Sequence, residues 1–224
     1  MKFSLNIPFD AYERNKKVAS LIPKNKKILD VGGGVTGIRL FTNNKVKIVD
    51  LDVGDIKMDI RKLSLPANSF DVVVFVDVLE HIPVKDRKKV IQKLIKIAKE
   101  KVIISAPYGS KEHIDAEKSL LNAIKKKSKE VPFLEEHVKY KLPRPQDIMP
   151  KNSHKVSVFY SGDFRVSNKL LLFHLFELTN PYLNKILYYG KVSLNILLNF
   201  LFYPVWFYKN ERKFANRFYV VIDK

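Results

Sequence analysis

Glycines and aspartates carry the first chemical signal in this sequence. The stretch ILDVGGGVTG (28–37) holds Gly32, Gly33, Gly34 and Gly37, of which the first, third and fourth fit G-x-G-x-x-G. An apolar run precedes the stretch, and IRLFT, a short helical segment, follows it. Glycine lets a ligand approach the backbone where a Cβ would obstruct, and a helix N-terminus favours an anion. A second acid, Asp50, lies 20 residues beyond Asp30 and ends the next apolar run, KVKIVD (45–50). A carboxylate there can accept both hydroxyls of a ribose. Dinucleotides and S-adenosylmethionine (SAM) each carry that ribose, so Asp50 does not separate them. Asp30 does. A carboxylate aimed at a pyrophosphate would repel it at short range in a low dielectric, whereas SAM presents an ammonium and a sulfonium. The ligand-free alternative for Asp30 is bracing of the loop.

These residues need strand ends to hold them, and the pattern provides them. KKILDV (26–31) and KVKIVD read as short strands, IKMDI (56–60) as a brief extended piece. SFDVVVFVDVL (69–79) is a nearly unbroken valine-rich run, as in a strand buried on both faces of a parallel sheet. Pro83 then opens a helix with Val90, Ile91, Leu94, Ile95 and Ala98 on its apolar stripe, and KVIISAP (101–107) is a further buried strand. A helix at 10–22 precedes them all, capped by Asp10, with Tyr12, Val18, Leu21 and Ile22 inward. Strands alternating with helices predict an α/β fold with a parallel sheet.

The sequence resembles the class I SAM-dependent methyltransferases, specifically the type 11 group. The likeness lies in ILDVGGGVTG, IVDLD and DIRKLSLPANSFDVVVFVDVLEHIP, and covers about residues 11–107. EEHVKYKLPRPQDI (135–148) is a fainter echo of the group's segment after the fifth strand. Thr36 departs from the pattern, standing where the group has a third glycine. The resemblance implies a Rossmann-like sheet of seven strands in the order 3-2-1-4-5-7-6, the seventh antiparallel. It also implies roles: Gly32 and Gly34 against the methionine moiety of SAM, and Asp50 on the ribose with Leu51 packing on adenine. Asp59 and the Ile60 N–H would take the adenine edge, and Asp77 would end the fourth strand beside the sulfonium. A loop cap is the other reading of Asp59. Where the acceptor must lose a proton, His137 and His81 are the candidate catalytic bases; His113 is weaker, and a structural bracing role competes for His81.

Composition narrows the remainder. The chain has 224 residues and no cysteine, which excludes disulfides, thiolate metal sites and cysteine nucleophiles, and suits an intracellular, cytoplasmic protein. The five histidines form no HxxxH or HxH pair, so no metal site is expected. The net charge is +18. That fits nucleic acid, an anionic membrane surface, or a generally lysine-rich composition. Residues 108–155 are polar with one helix expected near 116–129, while 155–164 and 217–223 read as strands. Between those strands an apolar, aromatic insertion (165–216) is expected to be helical within a single domain (1–224). Its 17 uncharged residues between Lys191 and Lys209 carry a polar stripe, Lys191, Asn195 and Asn199, and Pro204 interrupts them. A peripheral membrane contact through 168–208, a cap over the substrate, a dimer surface and plain packing on the sheet remain open. The favoured function is methyl transfer from SAM to a small-molecule, glycan or lipid-linked acceptor. RNA as acceptor, a non-catalytic SAM-binding module and an NAD-dependent oxidoreductase are the alternatives.

Overall fold

The computed structural model describes residues 6–35, 37–126, 130–150, 155–201 and 207–224. Thr36 and Pro204 lie outside the described residues. Helix α1 (Phe9–Ser20) leads into β1 (Lys27–Val31), β2 (Lys45–Asp50), β3 (Ile56–Lys57) and β4 (Phe70–Val76). Helix α2 (Val84–Ile97) passes directly into β5 (Ala98–Pro107). Three helices follow, α3 (Lys111–Lys125), α4 (Pro132–Tyr140) and the single-turn α5 (Pro145–Ile148). The chain then runs through β6 (Lys155–Ser161), α6 (Phe164–Leu175), α7 (Pro181–Leu201), β7 (Phe207–Tyr208) and β8 (Arg217–Asp223).

All eight strands join one sheet in the order β3-β2-β1-β4-β5-β8-β6-β7. Strands β1 to β5 pair in parallel, and β8 enters antiparallel between β5 and β6. The expected seven-strand order is present, and the two-residue β7 adds an edge strand beside β6. The valine run explains the middle of the sheet. Val72 and Val74 face one side with Ile28, Ile103 and Val18 of α1, while Val73 and Phe75 face the other with Leu29, Ile104 and Leu94 of α2. Strand β4 is therefore coated by helices on both faces, as period-two burial of a continuous apolar run requires.

The region after β5 holds more helix than its composition suggested. Helix α3 starts at Lys111, five residues earlier than expected, because the Ser110 side chain accepts from the His113 N–H at 3.1 Å and caps it. Helix α4 was not anticipated. It carries Pro132 in its first turn and buries Leu134 and His137 against α3. The described part of the insertion holds the helices α6 and α7 and also the short strand β7.

Candidate functional site

The carboxyl ends of β1, β2 and β4 share one edge of the sheet, the edge where open α/β sheets bind ligands. The loop after β1 is shaped by Asp30, which is only 2% exposed. Its Oδ2 accepts from the Ile38 N–H at 3.0 Å, so the carboxylate bends the loop back onto the short helical turn at Ile38–Leu40. A Cβ on Gly33 or Gly37 would overlap this carboxylate. Gly34 is glycine for another reason. It sits at φ +52°, and a Cβ there would meet nothing nearer than Asp50 Oδ2 at 4.0 Å, so the loop is open on that side. Burial pushes the Asp30 carboxyl up to about 7, against the pull of the Ile38 N–H and the Arg39 charge.

Asp50 closes the other side of the loop, accepting from the Gly34 N–H and the Asp52 N–H, both at 3.1 Å. Asp59 caps its own turn: it accepts from the Arg61 N–H at 2.8 Å and takes the Arg61 guanidinium on both oxygens. Leu51 is exposed, and Ile60 faces the same hollow. Asp50, Leu51, Asp59, Ile60, Gly32 and Asp77 line this cleft, about 380 Å³. A smaller hollow of about 180 Å³ under the loop touches Asp30, the four glycines and again Asp77.

A third cavity, about 410 Å³, opens on the far side of Asp77. Pro8, Phe9, Phe133, Leu170 and Leu171 give it apolar walls, and His81, His113, His137 and His174 give it imidazoles. Asp77 thus stands where all three hollows meet. Its backbone is left-handed (φ +53°), which turns the carboxylate toward α1 and β8. There it pairs with Arg14 at 2.9 Å and with both terminal nitrogens of Arg217. Burial alone would raise the Asp77 carboxyl, but the two guanidiniums outweigh it and hold the group below the ordinary carboxylate range.

Comparison with known proteins decides what this arrangement belongs to. Residues 29–105 match the family model described as "Methyltransferase domain", the span from β1 through most of β5. Over that third of its length the chain is similar to methyltransferase domains. The chain shares its fold with solved structures described as methyltransferases. One is a SAM-dependent methyltransferase from Thermotoga maritima, 15% identical, covering 99% of this chain and 91% of that one at TM-score 0.53. Another is the magnesium protoporphyrin IX methyltransferase of Synechocystis PCC 6803, solved with bound S-adenosylhomocysteine. It is 13% identical, covering 96% of this chain and 84% of that one at TM-score 0.50. No curated protein matches the chain.

The fold brings together histidines that are far apart in sequence. His81 and His137 lie with ring centroids 5.0 Å apart. Each turns Nδ1 to a carboxylate, His81 to Glu136 at 2.6 Å and His137 to Glu117 at 3.0 Å. Burial lowers the His81 imidazole. Burial also acts on His137, but Glu117 and Glu80 prevail and raise it. His113 takes a different part. Its Nδ1 bonds the Tyr108 carbonyl at 2.9 Å, its ring stacks on Phe164, and burial drives it down to about 4. Sequence reading missed Arg14, Arg217, Glu117 and Glu136. Arg217 is 140 residues from Asp77, and only its position at the head of an apolar strand marks it as unusual.

Proposed function

We propose that this methyltransferase moves the SAM methyl to a small-molecule, glycan or lipid-linked acceptor seated in the cavity walled by α1, α4 and α6. One observation carries the reading: Asp77 lines both the cleft beside the glycine loop and the cavity beyond it, so a ligand in each would meet there. Methyl transfer is an in-line displacement in which alignment and exclusion of water contribute most of the rate. When bound, SAM supplies a methyl group made electrophilic by its sulfonium.

The residues fit that cofactor. The open side of Gly34 leaves backbone for the methionine end, and Asp30 and Asp77 supply negative charge on either side of the loop. Gly32, Gly33 and Gly37 keep the loop tight. Asp50 would take the ribose, Leu51 the adenine face, Asp59 and Ile60 the adenine edge. Asp59 would keep its bond to Arg61 while doing so, since a carboxylate has about four acceptor positions. His137 and His81 are the groups that touch the acceptor, with Nε2 of each ring left to accept a proton.

Apolar walls around four imidazoles suit a compact acceptor better than a nucleic-acid strand, which would call for a basic groove with exposed stacking rings. Helix α6 supplies a wall through Asn168, Leu170 and Leu171, so the insertion 165–216 shapes the acceptor side of what we take to be one domain, 1–224. Peripheral membrane contact through 168–208 would bring a lipid-linked acceptor within reach. No described helix is long and apolar enough to cross a membrane.

The test is transfer of labelled methyl from SAM into fractionated cell extract, beside calorimetry with S-adenosylhomocysteine and NAD. Label should appear in a small organic-soluble or glycan fraction, and Asp50→Asn should weaken S-adenosylhomocysteine at least tenfold. NAD binding without S-adenosylhomocysteine binding would overturn the proposal, as would label found only in RNA.

A further inference from the structure

Around His81 and His137 lies an arrangement that proton transfer leaves unexplained. Glu80, His81 and His137 each offer one ligand atom, and these atoms lie within 4.8 Å of one another. Glu80 is 1% exposed, and its Oε2 has no hydrogen-bond partner. Burying a carboxylate oxygen with nothing to satisfy it is costly unless the group is protonated or a cation takes it. Among the described residues no side chain forms an ion pair with Glu80, and the guanidiniums of Arg14 and Arg217, which line the same cavity, are paired with Asp77.

The histidines are oriented as ligands are. Imidazoles that hold a metal through one nitrogen donate the other N–H to a carboxylate or carbonyl, which fixes the tautomer and strengthens the ligand. His81 does this with Glu136 and His137 with Glu117, through Nδ1 in both cases. Nε2 of each ring is left as the ligand atom. Two imidazoles and one carboxylate with open positions are a donor set for borderline divalent ions such as Zn²⁺, Co²⁺ or Fe²⁺; Mg²⁺ and Ca²⁺ prefer all-oxygen shells. Bonds of about 2.0–2.1 Å at tetrahedral angles place ligand atoms roughly 3.4 Å apart, so modest side-chain rotations would close the set around an ion.

We infer that Glu80, His81 and His137 form a divalent-metal site on the wall of the acceptor cavity. The sequence could not show it by histidine spacing, because His81 and His137 are 56 residues apart and meet only when α4 packs beside the short turn Leu79–His81. Glu80, His81 and His137 line the same cavity as Asp77. Resting on the methyl-transfer reading, the site names an acceptor class: a molecule with an oxygen or nitrogen donor that binds the metal and is thereby held beside the methyl position. With the ion present, His81 and His137 act as ligands, and binding of the acceptor atom to the cation replaces direct contact with their Nε2.

Cobalt is the probe. The full chain, stripped with chelator, is titrated with Co²⁺ and followed by its visible d–d absorption and by calorimetry, with and without S-adenosylhomocysteine. One equivalent should bind, and Glu80→Gln and His137→Ala should each weaken it at least a hundredfold. Glu117→Gln, which touches no ion, should weaken it about 10–100-fold. Circular dichroism and S-adenosylhomocysteine affinity report whether each variant is folded. No stoichiometric Co²⁺ binding, or binding unchanged in both ligand variants, overturns the metal site. Loss of S-adenosylhomocysteine binding by the unaltered protein would instead strike the methyl-transfer reading, leaving the Co²⁺ result to stand by itself.

Discussion

Asp30 combines two roles that the sequence set against each other. It braces the loop through the Ile38 N–H, and it lines the hollow under the glycines where a cationic ligand would lie. The two are compatible because a carboxylate bonded to one N–H keeps further acceptor positions. Burial raises its carboxyl to about 7, from an unfolded value near 3.9. An acid so raised favours folding below about pH 4, and that contribution is lost as pH rises through 7. A ligand bearing an ammonium reverses the preference, since it stabilises the ionised form. Below pH 7 binding must then expel the Asp30 proton. Affinity for S-adenosylhomocysteine should climb several-fold between pH 5.5 and 7 and level off above 7.5, with proton release visible in calorimetry across buffers of different ionisation enthalpy. Asp30→Asn should bind more weakly and lose most of this dependence. A wild-type affinity flat across that range would remove Asp30 from the ligand's surroundings. That Asp30 and Asp50 flank the glycine loop was thus legible from residue types and spacing. That Gly33 and Gly37 are glycine to make room for Asp30 was not, because the crowding exists only once the loop is folded.

At the scale of elements, what could be read followed from how continuous the apolar pattern is. The run around β4 and the stripe of α2 announced themselves, since each buries a regular face. Helix α4 did not, because one of its two inward positions is His137, which a hydropathy pattern counts as polar. Strand β8 was legible as an element but not as a part of the site. Its first residue, Arg217, ties the last strand to the turn after β4 by pairing with Asp77 and reaching Ser105 Oγ at 3.4 Å. Removing one partner of a buried ion pair leaves the other charge uncompensated, which costs roughly 3–5 kcal/mol. Arg14 stays on Asp77, so Arg217→Met should fall near the low end, about 3 kcal/mol, in urea unfolding at pH 7. The same variant should bind S-adenosylhomocysteine less well, because the Asp77 carboxylate loses the group that fixes its direction. A change below about 1 kcal/mol would mean that Arg14 alone holds Asp77.

The molecule as a whole carries one helix turned inside out. Asn195 and Asn199 of α7 are 4% and 2% exposed, while Ile186, Leu197 and Phe200 are 68%, 52% and 74% exposed. The polar stripe seen in the sequence faces the protein. Asn195 Oδ1 meets His174 Nε2 at 3.1 Å, Asn199 donates to the Ile7 carbonyl at 2.9 Å, and Lys191 donates to the His174 carbonyl at 3.0 Å near the end of α6. At about 100° per residue Leu183, Ile186, Leu197, Phe200 and Leu201 share one face, with Asn195 opposite. Sequence periodicity located both faces but not their directions, since hydropathy alone assigns the apolar face to the interior. An exposed face of this kind loses free energy in water and gains it in a lipid interface, and a net charge of +18 adds attraction to anionic headgroups. The full chain should therefore co-sediment with vesicles containing phosphatidylserine. Replacing Ile186, Leu197 and Phe200 together by serine should cut binding at least tenfold at 0.15 M salt, while circular dichroism and S-adenosylhomocysteine affinity stay unchanged. Raising the salt should weaken the wild type only in part, because Debye screening removes the charge contribution and spares the apolar one. If the serine variant binds vesicles as well as the wild type, charge alone accounts for the attraction and α7 has no part in it. If vesicles are ignored but sedimentation shows a wild-type dimer that the variant lacks, the apolar face belongs to a second copy of the chain, and the acceptor need not be lipid-linked.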